Sequence, residues 1–197
     1  MTSGPAPPAR PRLLRAANIP NFICVLRILL VWPIVEALVA GRYQLALVLV
    51  GVAGLSDGLD GYLAKRFSWR SRLGGLLDPL ADKLLLVSTF VTLTYTSLVP
   101  VWLTAVVIAR DFVIVSGGLI YQAIVAPVEP EPSRASKLNT GAQLVFVGSV
   151  ISNQAFGLPG AELLIPAGAA VLVTSTVSGL DYVVRWSVKA ARAARRA

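Results

Sequence analysis

The sequence predicts an all-α polytopic membrane protein: six transmembrane helices, both termini inside, and a functional site at the cytoplasmic side. Three observations predict it: the composition, a succession of span-length apolar stretches, and the placement of lysine and arginine. Of 197 residues, 55% are apolar and only 14% charged, whereas a soluble domain has about one half and one quarter. The single cysteine, Cys24, excludes a disulfide scaffold. A hydrocarbon core of about 30 Å takes roughly 20 residues per spanning helix, which leaves room for about six spans and no second domain.

The elements follow in order. Residues 1–17, MTSGPAPPARPRLLRAA, read as a basic proline-rich tail running into a short interfacial segment. They do not read as a secretory signal, because the next apolar stretch is span-length and no small-residue cleavage site closes it. Residues 18–188 form the six-helix domain, and 189–197 a basic C-terminal tail. The apolar stretches are continuous rather than alternating, which points to helices and not a lipid-facing barrel. Spans are expected near 22–40, 43–64, 74–95, 100–122, 137–155 and 162–186. Turn signals separate them: Gly41, the basic stretch 65–72, Pro100, the Pro/Glu-rich 127–132, and Gly157 to Gly160. No convincing internal repeat relates the first three spans to the last three.

Orientation follows from the cations. With the N-terminus inside, the inner side collects Arg10, Arg12, Arg15, Lys65, Arg66, Arg70, Arg72, Arg134, Lys137, Arg185, Lys189, Arg192, Arg195 and Arg196. The outer loops hold Arg42, and Arg27, Lys83 and Arg110 fall inside spans. This bias places the chain in the cytoplasmic (inner) membrane. It also accounts for the net charge of +8 without a nucleic-acid partner, since cytoplasmic leaflets are anionic.

The chain contains no histidine, which removes imidazole bases, Ser-His and Cys-His nucleophile systems and His-ligated zinc. Acid–base or metal chemistry must then run on carboxylates, and these cluster in SDGLDGYLAKRFSWRSRLGGLLDPLADKL, Ser56 to Leu84. Asp57 and Asp60 stand three apart at the inner end of the second span; Asp78 and Asp82 stand four apart in the first turns of the third. Each spacing puts a pair on one helix face, and the short loop between the helices brings the four carboxylates together. Such a cluster repels itself and bears a desolvation cost, so a cation belongs among them. Lys83 and Lys65 supply part of the charge, and an oxygen-only ligand set suits Mg²⁺ or Mn²⁺. Two such ions about 3.5–4 Å apart make the clamp used for displacement at phosphorus. Gly58, Gly61, Ala64, Gly74 and Gly75 present little side chain, so either a ligand or a neighbouring helix has close access to the backbone.

The pattern Asp57-x2-Asp60-Gly61-x2-Ala64-Lys65-x8-Gly74-x3-Asp78-x3-Asp82 resembles the signature of the CDP-alcohol phosphotransferases, integral membrane enzymes of phospholipid synthesis. One position departs: the family usually has Arg after the Ala, and here Lys65 is followed by Arg66, which keeps a cation and loses the bidentate fork. The resemblance implies two divalent ions held by Asp57, Asp60 and Asp78, with Asp82 close to them, counted with them as a metal residue and acting as base on the acceptor hydroxyl. It also implies the cytidine diphosphate of CDP-diacylglycerol against Gly58, Gly61, Ala64, Lys65 and Gly74, and a homodimer.

The run DPLADKLLL is similar to the branch of that family that makes phosphatidylglycerophosphate and cardiolipin. Within that branch, Ala109-Arg110-Asp111 and Ser136-Lys137-Leu138-Asn139-Thr140 look more like the cardiolipin synthases. A physical argument leans the same way. Glycerol 3-phosphate brings in a dianion, and neutral Asn139 stands where a second lysine would hold it; phosphatidylglycerol has one negative charge and needs fewer cations. The resemblance therefore implies phosphatidyl transfer to phosphatidylglycerol, with glycerol 3-phosphate as the alternative acceptor. Arg110, Lys137 and Asn139 are the acceptor-binding candidates, and Arg110, near mid-span, has pairing with a site carboxylate as its other reading. Arg27 has two readings, snorkelling to the inner surface or serving the site. Glu36 belongs at the outer interface, and Asp181 reads as structural. A divalent-cation transporter is the rival from another class; it predicts acidic residues spread through the membrane depth, whereas the outer half holds only Glu36 and Glu162.

Overall fold

A computed structural model describes residues 19–67, 74–124 and 133–194 of the chain. They form six helices: α1 (Ile19–Val39), α2 (Tyr43–Phe67), α3 (Gly74–Tyr95), α4 (Val101–Ile124), α5 (Arg134–Phe156) and α6 (Ala161–Ala194). The predicted tail and interfacial segment, residues 1–17, lie outside the described residues.

Local chemistry sets the visible ends. After α1, Gly41 takes φ 70°, and the amide of Arg42 returns to the Ala37 carbonyl at 2.8 Å; glycine adopts this left-handed turn without a Cβ penalty. Gly157 closes α5 in the same way, at φ 73° with its N–H on the Asn153 carbonyl. Ser133 caps the start of α5 by accepting from the Ser136 amide at 3.1 Å. Pro100 stands just before α4, and its carbonyl takes the amide of Leu103.

Two boundaries differ from expectation. Helix α2 runs through Phe67, so Lys65 and Arg66 stand on a helix and not in a loop. Helix α6 runs through Ala194, so most of the predicted tail 189–197 is helical. Alanine, lysine and arginine are strong helix formers, and cations favour the C-terminal end of a helix; both effects continue a helix past the end of its apolar stretch.

Helix α1 packs against α2 and α3, α6 packs against α4 and α5, and α2 against α5 is the main join between the two groups. The buried apolar cluster occupies the half of the bundle where α1, α3 and α5 end and α4 begins: Ile34 and Leu38 of α1, Phe90 and Leu93 of α3, Leu103 of α4, Val150 and Ile151 of α5. Phe90 and Phe146 stack with centroids 6.1 Å apart. Gly168 of α6 makes room for that ring, since a Cβ there would lie 3.3 Å from Phe146. Towards the other half the buried positions turn polar: Arg27, Arg110, Asn139, Gln143, Ser175 and Ser178.

The exterior is apolar, with Phe22, Trp32, Leu55, Phe112 and Ile165 among the exposed side chains. Three helices are long and apolar enough to cross a membrane, through Phe22–Val39, Val101–Gly118 and Ala161–Val188, and Tyr43–Ser56 is a shorter apolar stretch. An outside this hydrophobic belongs in lipid, and the chain is a multi-pass membrane protein.

Candidate active site

The sequence motif divides between two helices. Asp57, Gly58, Asp60, Gly61, Ala64 and Lys65 stand on the last turns of α2; Gly74 opens α3, which carries Asp78 and Asp82. The side chains of Asp57, Asp60, Asp78 and Lys65, the packing around Gly58, Gly61, Ala64 and Gly74, and the loop 68–73 lie outside the described residues. The expected convergence of the four carboxylates falls there too. Among the described residues no three metal-capable side chains gather. The donor chemistry of the pattern is nonetheless definite, because carboxylate oxygens without nitrogen or thiolate suit hard divalent cations.

Asp82 is described, and it has a partner from α1: Arg27 Nη1 donates to Asp82 Oδ1. The Arg27 side chain is 1% exposed and that of Asp82 38%. Arg27 therefore does not snorkel to the surface; it is buried against a carboxylate of the sequence pattern. Each residue stands eight positions past the start of its helix, about 12 Å along the axis, so parallel α1 and α3 meet at equal depth.

A second buried polar group lies where α3, α4, α5 and α6 approach. Arg110 is 8% exposed. Its Nη1 donates to Asp111 Oδ1 at 2.6 Å, its Nη2 to Ser136 Oγ at 2.7 Å, and its Nε and Nη2 to Ser178 Oγ at 3.2 and 2.6 Å. Lys83 Nζ comes within 3.5 Å of the same Asp111 oxygen. The described carboxylate that Arg110 meets is thus its own neighbour.

The acceptor candidates part company. Lys137 is exposed, whereas Asn139 is wholly buried and its Oδ1 accepts from Thr174 Oγ1 at 3.0 Å and Ser175 Oγ at 2.8 Å. Its Nδ2 donor is buried with no hydrogen-bond partner among the described residues. Gln143 Nε2 reaches Ser175 Oγ at 3.5 Å. Thr174, Ser175 and Ser178 escaped the sequence reading, which had named Asp111 and Ser136 only within the branch motifs; the cluster Thr174-Ser175-Thr176 with Ser178 in an otherwise apolar helix was the available signal. Two further described carboxylates have arginine partners of their own: Glu36 pairs with Arg42 at 3.0 Å, and Asp181 with Arg185 at 2.8 Å.

Residues 17–181 match the family described as CDP-alcohol phosphatidyltransferase. The chain belongs to that family. Among the relatives of this phosphatidyltransferase-family chain, the probable cardiolipin synthase (CMP-forming) of Drosophila melanogaster is 36% identical over 147 residues, covering 66% of this chain and 46% of that protein. The cardiolipin synthase (CMP-forming) of Homo sapiens is 31% identical over 181 residues, covering 84% and 60%. The CDP-diacylglycerol–glycerol-3-phosphate 3-phosphatidyltransferase of Bacillus subtilis is 30% identical over 182 residues, covering 89% and 92%. The chain thus spans about half the length of the first relative and 60% of the second. None of these relatives is a cation transporter, and that rival gains no support.

Proposed function

We propose that this protein transfers the phosphatidyl group of CDP-diacylglycerol to a hydroxyl of phosphatidylglycerol, giving cardiolipin and CMP. The observation that carries the proposal is the family match over residues 17–181, which takes in the complete aspartate pattern on α2 and α3; the fly and human relatives direct it to this acceptor. All six helices span the membrane in this reading, with both termini and the site inside, as the cation bias requires. The protein works as a homodimer in the cytoplasmic membrane.

Asp57, Asp60 and Asp78 hold two divalent ions, Mg²⁺ or Mn²⁺, with Asp82 beside them. Those ions supply charge neutralisation for the diphosphate. Gly58, Gly61, Ala64, Lys65 and Gly74 line the nucleotide. The acceptor hydroxyl oxygen bonds to the β-phosphorus, the bond from that phosphorus to the bridging oxygen breaks, and CMP departs with the electron pair. Asp82, part-exposed and eight residues into α3, takes the hydroxyl proton. Arg110, Lys137 and Asn139 serve the acceptor end: Arg110 can exchange a serine hydroxyl for a phosphate oxygen, and the amide of Asn139 still has a donor to give.

Glycerol 3-phosphate as acceptor is the second reading, and the Bacillus subtilis relative, 92% of which is covered, favours it. Purified protein with CDP-diacylglycerol and Mg²⁺ or Mn²⁺, offered each acceptor in turn, decides between them when CMP and lipid products are measured. Cardiolipin from phosphatidylglycerol is expected. Turnover with glycerol 3-phosphate alone moves the protein to the second reading, and no CMP with either overturns both.

A further inference from the structure

Asp111 follows Arg110 directly on α4, and neighbouring positions on a helix do not face each other. The two side chains nevertheless converge: Arg110 Nη1 donates to Asp111 Oδ1 at 2.6 Å. The same oxygen has Lys83 Nζ of α3 at 3.5 Å, so one carboxylate oxygen lies between two cations. Lys83 Nζ is buried and has no hydrogen-bond partner among the described residues, although an ammonium has three donors to place. The remaining N–H groups of Arg110 meet no charge. Nε and Nη2 both donate to Ser178 Oγ, at 3.2 and 2.6 Å, and Nη2 also reaches Ser136 Oγ at 2.7 Å. That edge of the guanidinium is the planar fork that suits two oxygens of a phosphate, and a hydroxyl yields it without uncovering a charge. A phosphate seated there shares one guanidinium with the Asp111 carboxylate.

We propose that Asp111 is a specificity-determining residue for the acceptor: its carboxylate, held between Arg110 and Lys83, admits a phosphodiester with one negative charge and turns away a phosphomonoester with two. This deepens the proposed function and rests on it, since the acceptor phosphate is taken to occupy the Nε and Nη2 edge of Arg110. Attraction to a positive pocket grows in proportion to the charge of the ligand, whereas the cost of taking that ligand out of water grows with the square of its charge. A strongly positive pocket therefore suits a dianion and a weakly positive one a monoanion. Asp111 weakens this pocket by one unit, against the two cations that share its oxygen. Discrimination of this kind works against the wrong ligand as much as for the right one.

The test uses the full chain in detergent with Asp111→Asn, Asp111→Glu and Lys83→Met. The ratio of kcat/KM for glycerol 3-phosphate to that for phosphatidylglycerol is measured for each; where glycerol 3-phosphate is not turned over, its inhibition constant against phosphatidylglycerol takes its place. Asp111→Asn should shift preference towards glycerol 3-phosphate by roughly tenfold to a hundredfold, the effect of one unit charge several ångströms away. Lys83→Met should shift it in the opposite direction, and Asp111→Glu, which keeps the charge, should stay near the wild-type preference. Thermal stabilisation by methyl phosphate and by dimethyl phosphate, a dianion and a monoanion above neutral pH, is measured alongside in the absence of CDP-diacylglycerol. Asp111→Asn should raise the first relative to the second.

Equal losses with both acceptors in Asp111→Asn would make Asp111 a partner in helix packing alone and overturn the proposal, as would shifts of the same sign from Asp111→Asn and Lys83→Met. If Asp111→Asn fails to fold, Lys83→Met decides: preference moving away from glycerol 3-phosphate supports the charge rule, and unchanged preference overturns it. A wild type that turns over glycerol 3-phosphate alone overturns the acceptor reading and this proposal together, whereas phosphatidylglycerol turnover with unchanged preference in Asp111→Asn overturns the proposal and leaves the acceptor reading intact. If the wild type releases no CMP with either acceptor, the reaction reading fails, and the two phosphate esters still decide whether Asp111 sets the preferred charge.

Discussion

Among the described residues two arginines are buried, Arg27 and Arg110, and their surroundings differ. Arg27, between α1 and α3, faces a carboxylate of the family pattern. Arg110, on α4, spreads its donors over two serine hydroxyls and the adjacent Asp111, an oxygen that Lys83 also approaches. Breaking the first pair uncovers two charges, which is expensive wherever water is scarce. Loosening the second gives up neutral hydroxyls that a phosphate oxygen can replace. Both arginines meet a carboxylate, and what sets Arg110 apart is that its other described donors end on neutral, exchangeable hydroxyls.

The largest effects should come from the carboxylate side. Asp82→Asn should preserve metal-dependent binding of CDP-diacylglycerol while CMP release falls by about 10²–10⁴-fold, the range attributed to general bases. Asp57→Asn, Asp60→Asn or Asp78→Asn should abolish metal-dependent turnover, and excess EDTA should do the same to the wild type. Full activity in EDTA would remove the paired ions from the scheme. Joint loss of binding and turnover in Asp82→Asn would make Asp82 a metal ligand, and the contrast between the two arginines would lose its first half.

On the other side the effect should be smaller and should appear in acceptor binding. Arg110→Lys keeps the charge and loses the fan that reaches Ser136 and Ser178 together. Hydrogen bonds to charged groups contribute about 1.5–3 kcal/mol, so KM for phosphatidylglycerol should rise roughly tenfold to a hundredfold while KM for CDP-diacylglycerol stays near its wild-type value. A fall in kcat with both KM values unchanged would show that Arg110 organises the helices and does not meet the acceptor.

How far these two sites were legible in the sequence depends on whether the information was local. Helix limits came within a few residues, because an apolar run ends where Gly41, Pro100 or Gly157 breaks it, and those signals sit beside the element they end. Helix α6 was cut short because counting apolar residues sees the lipid and misses the helix propensity of Ala190, Ala191, Ala193 and Ala194. The aspartate pattern is local too, with its four carboxylates spread over 26 residues of α2, the loop and α3. Arg27 could only be read two ways, since the face that α1 turns to α3 depends on contacts 55 residues apart. The links from Arg110 to Ser178 and from Asn139 to Ser175 span 68 and 36 residues, and nothing in the spacing of serines on α6 names their partners.

Asn139 tests whether the polar seam between α5 and α6 serves stability as well as the acceptor. Asn139→Ala leaves the Ser175 and Thr174 hydroxyls without the oxygen they share. Thr174 also donates to the Ala170 carbonyl at 2.7 Å, so the burden falls mainly on buried Ser175. An unsatisfied buried group costs about 1–3 kcal/mol, and thermal unfolding in detergent should shift down accordingly. A double Asn139→Ala/Ser175→Ala variant should regain part of the loss, since it removes both ends of the bond. Equal unfolding temperatures for wild type and Asn139→Ala would show that the seam contributes nothing to the fold and leave its amide to the acceptor alone.

The smallest effect is expected at the C-terminal end of α1, where a third arginine is paired and neither partner is buried. Arg42 donates to Glu36 Oε1 at 3.0 Å, with side chains 56% and 61% exposed. Charges this open keep their hydration, and such pairs contribute about 0–1 kcal/mol. They also sit at the opposite end of α1 from Arg27, beyond the apolar cluster around Ile34 and Leu38. Glu36→Gln should therefore leave CMP release, Mn²⁺ affinity and thermal unfolding at wild-type values, in contrast to Asp82→Asn, which removes an arginine partner of the same chemical kind. A loss of turnover in Glu36→Gln approaching that of Asp82→Asn would mean that pairing an arginine matters here regardless of depth, and burial could no longer explain why Arg27 and Arg110 differ from Arg42.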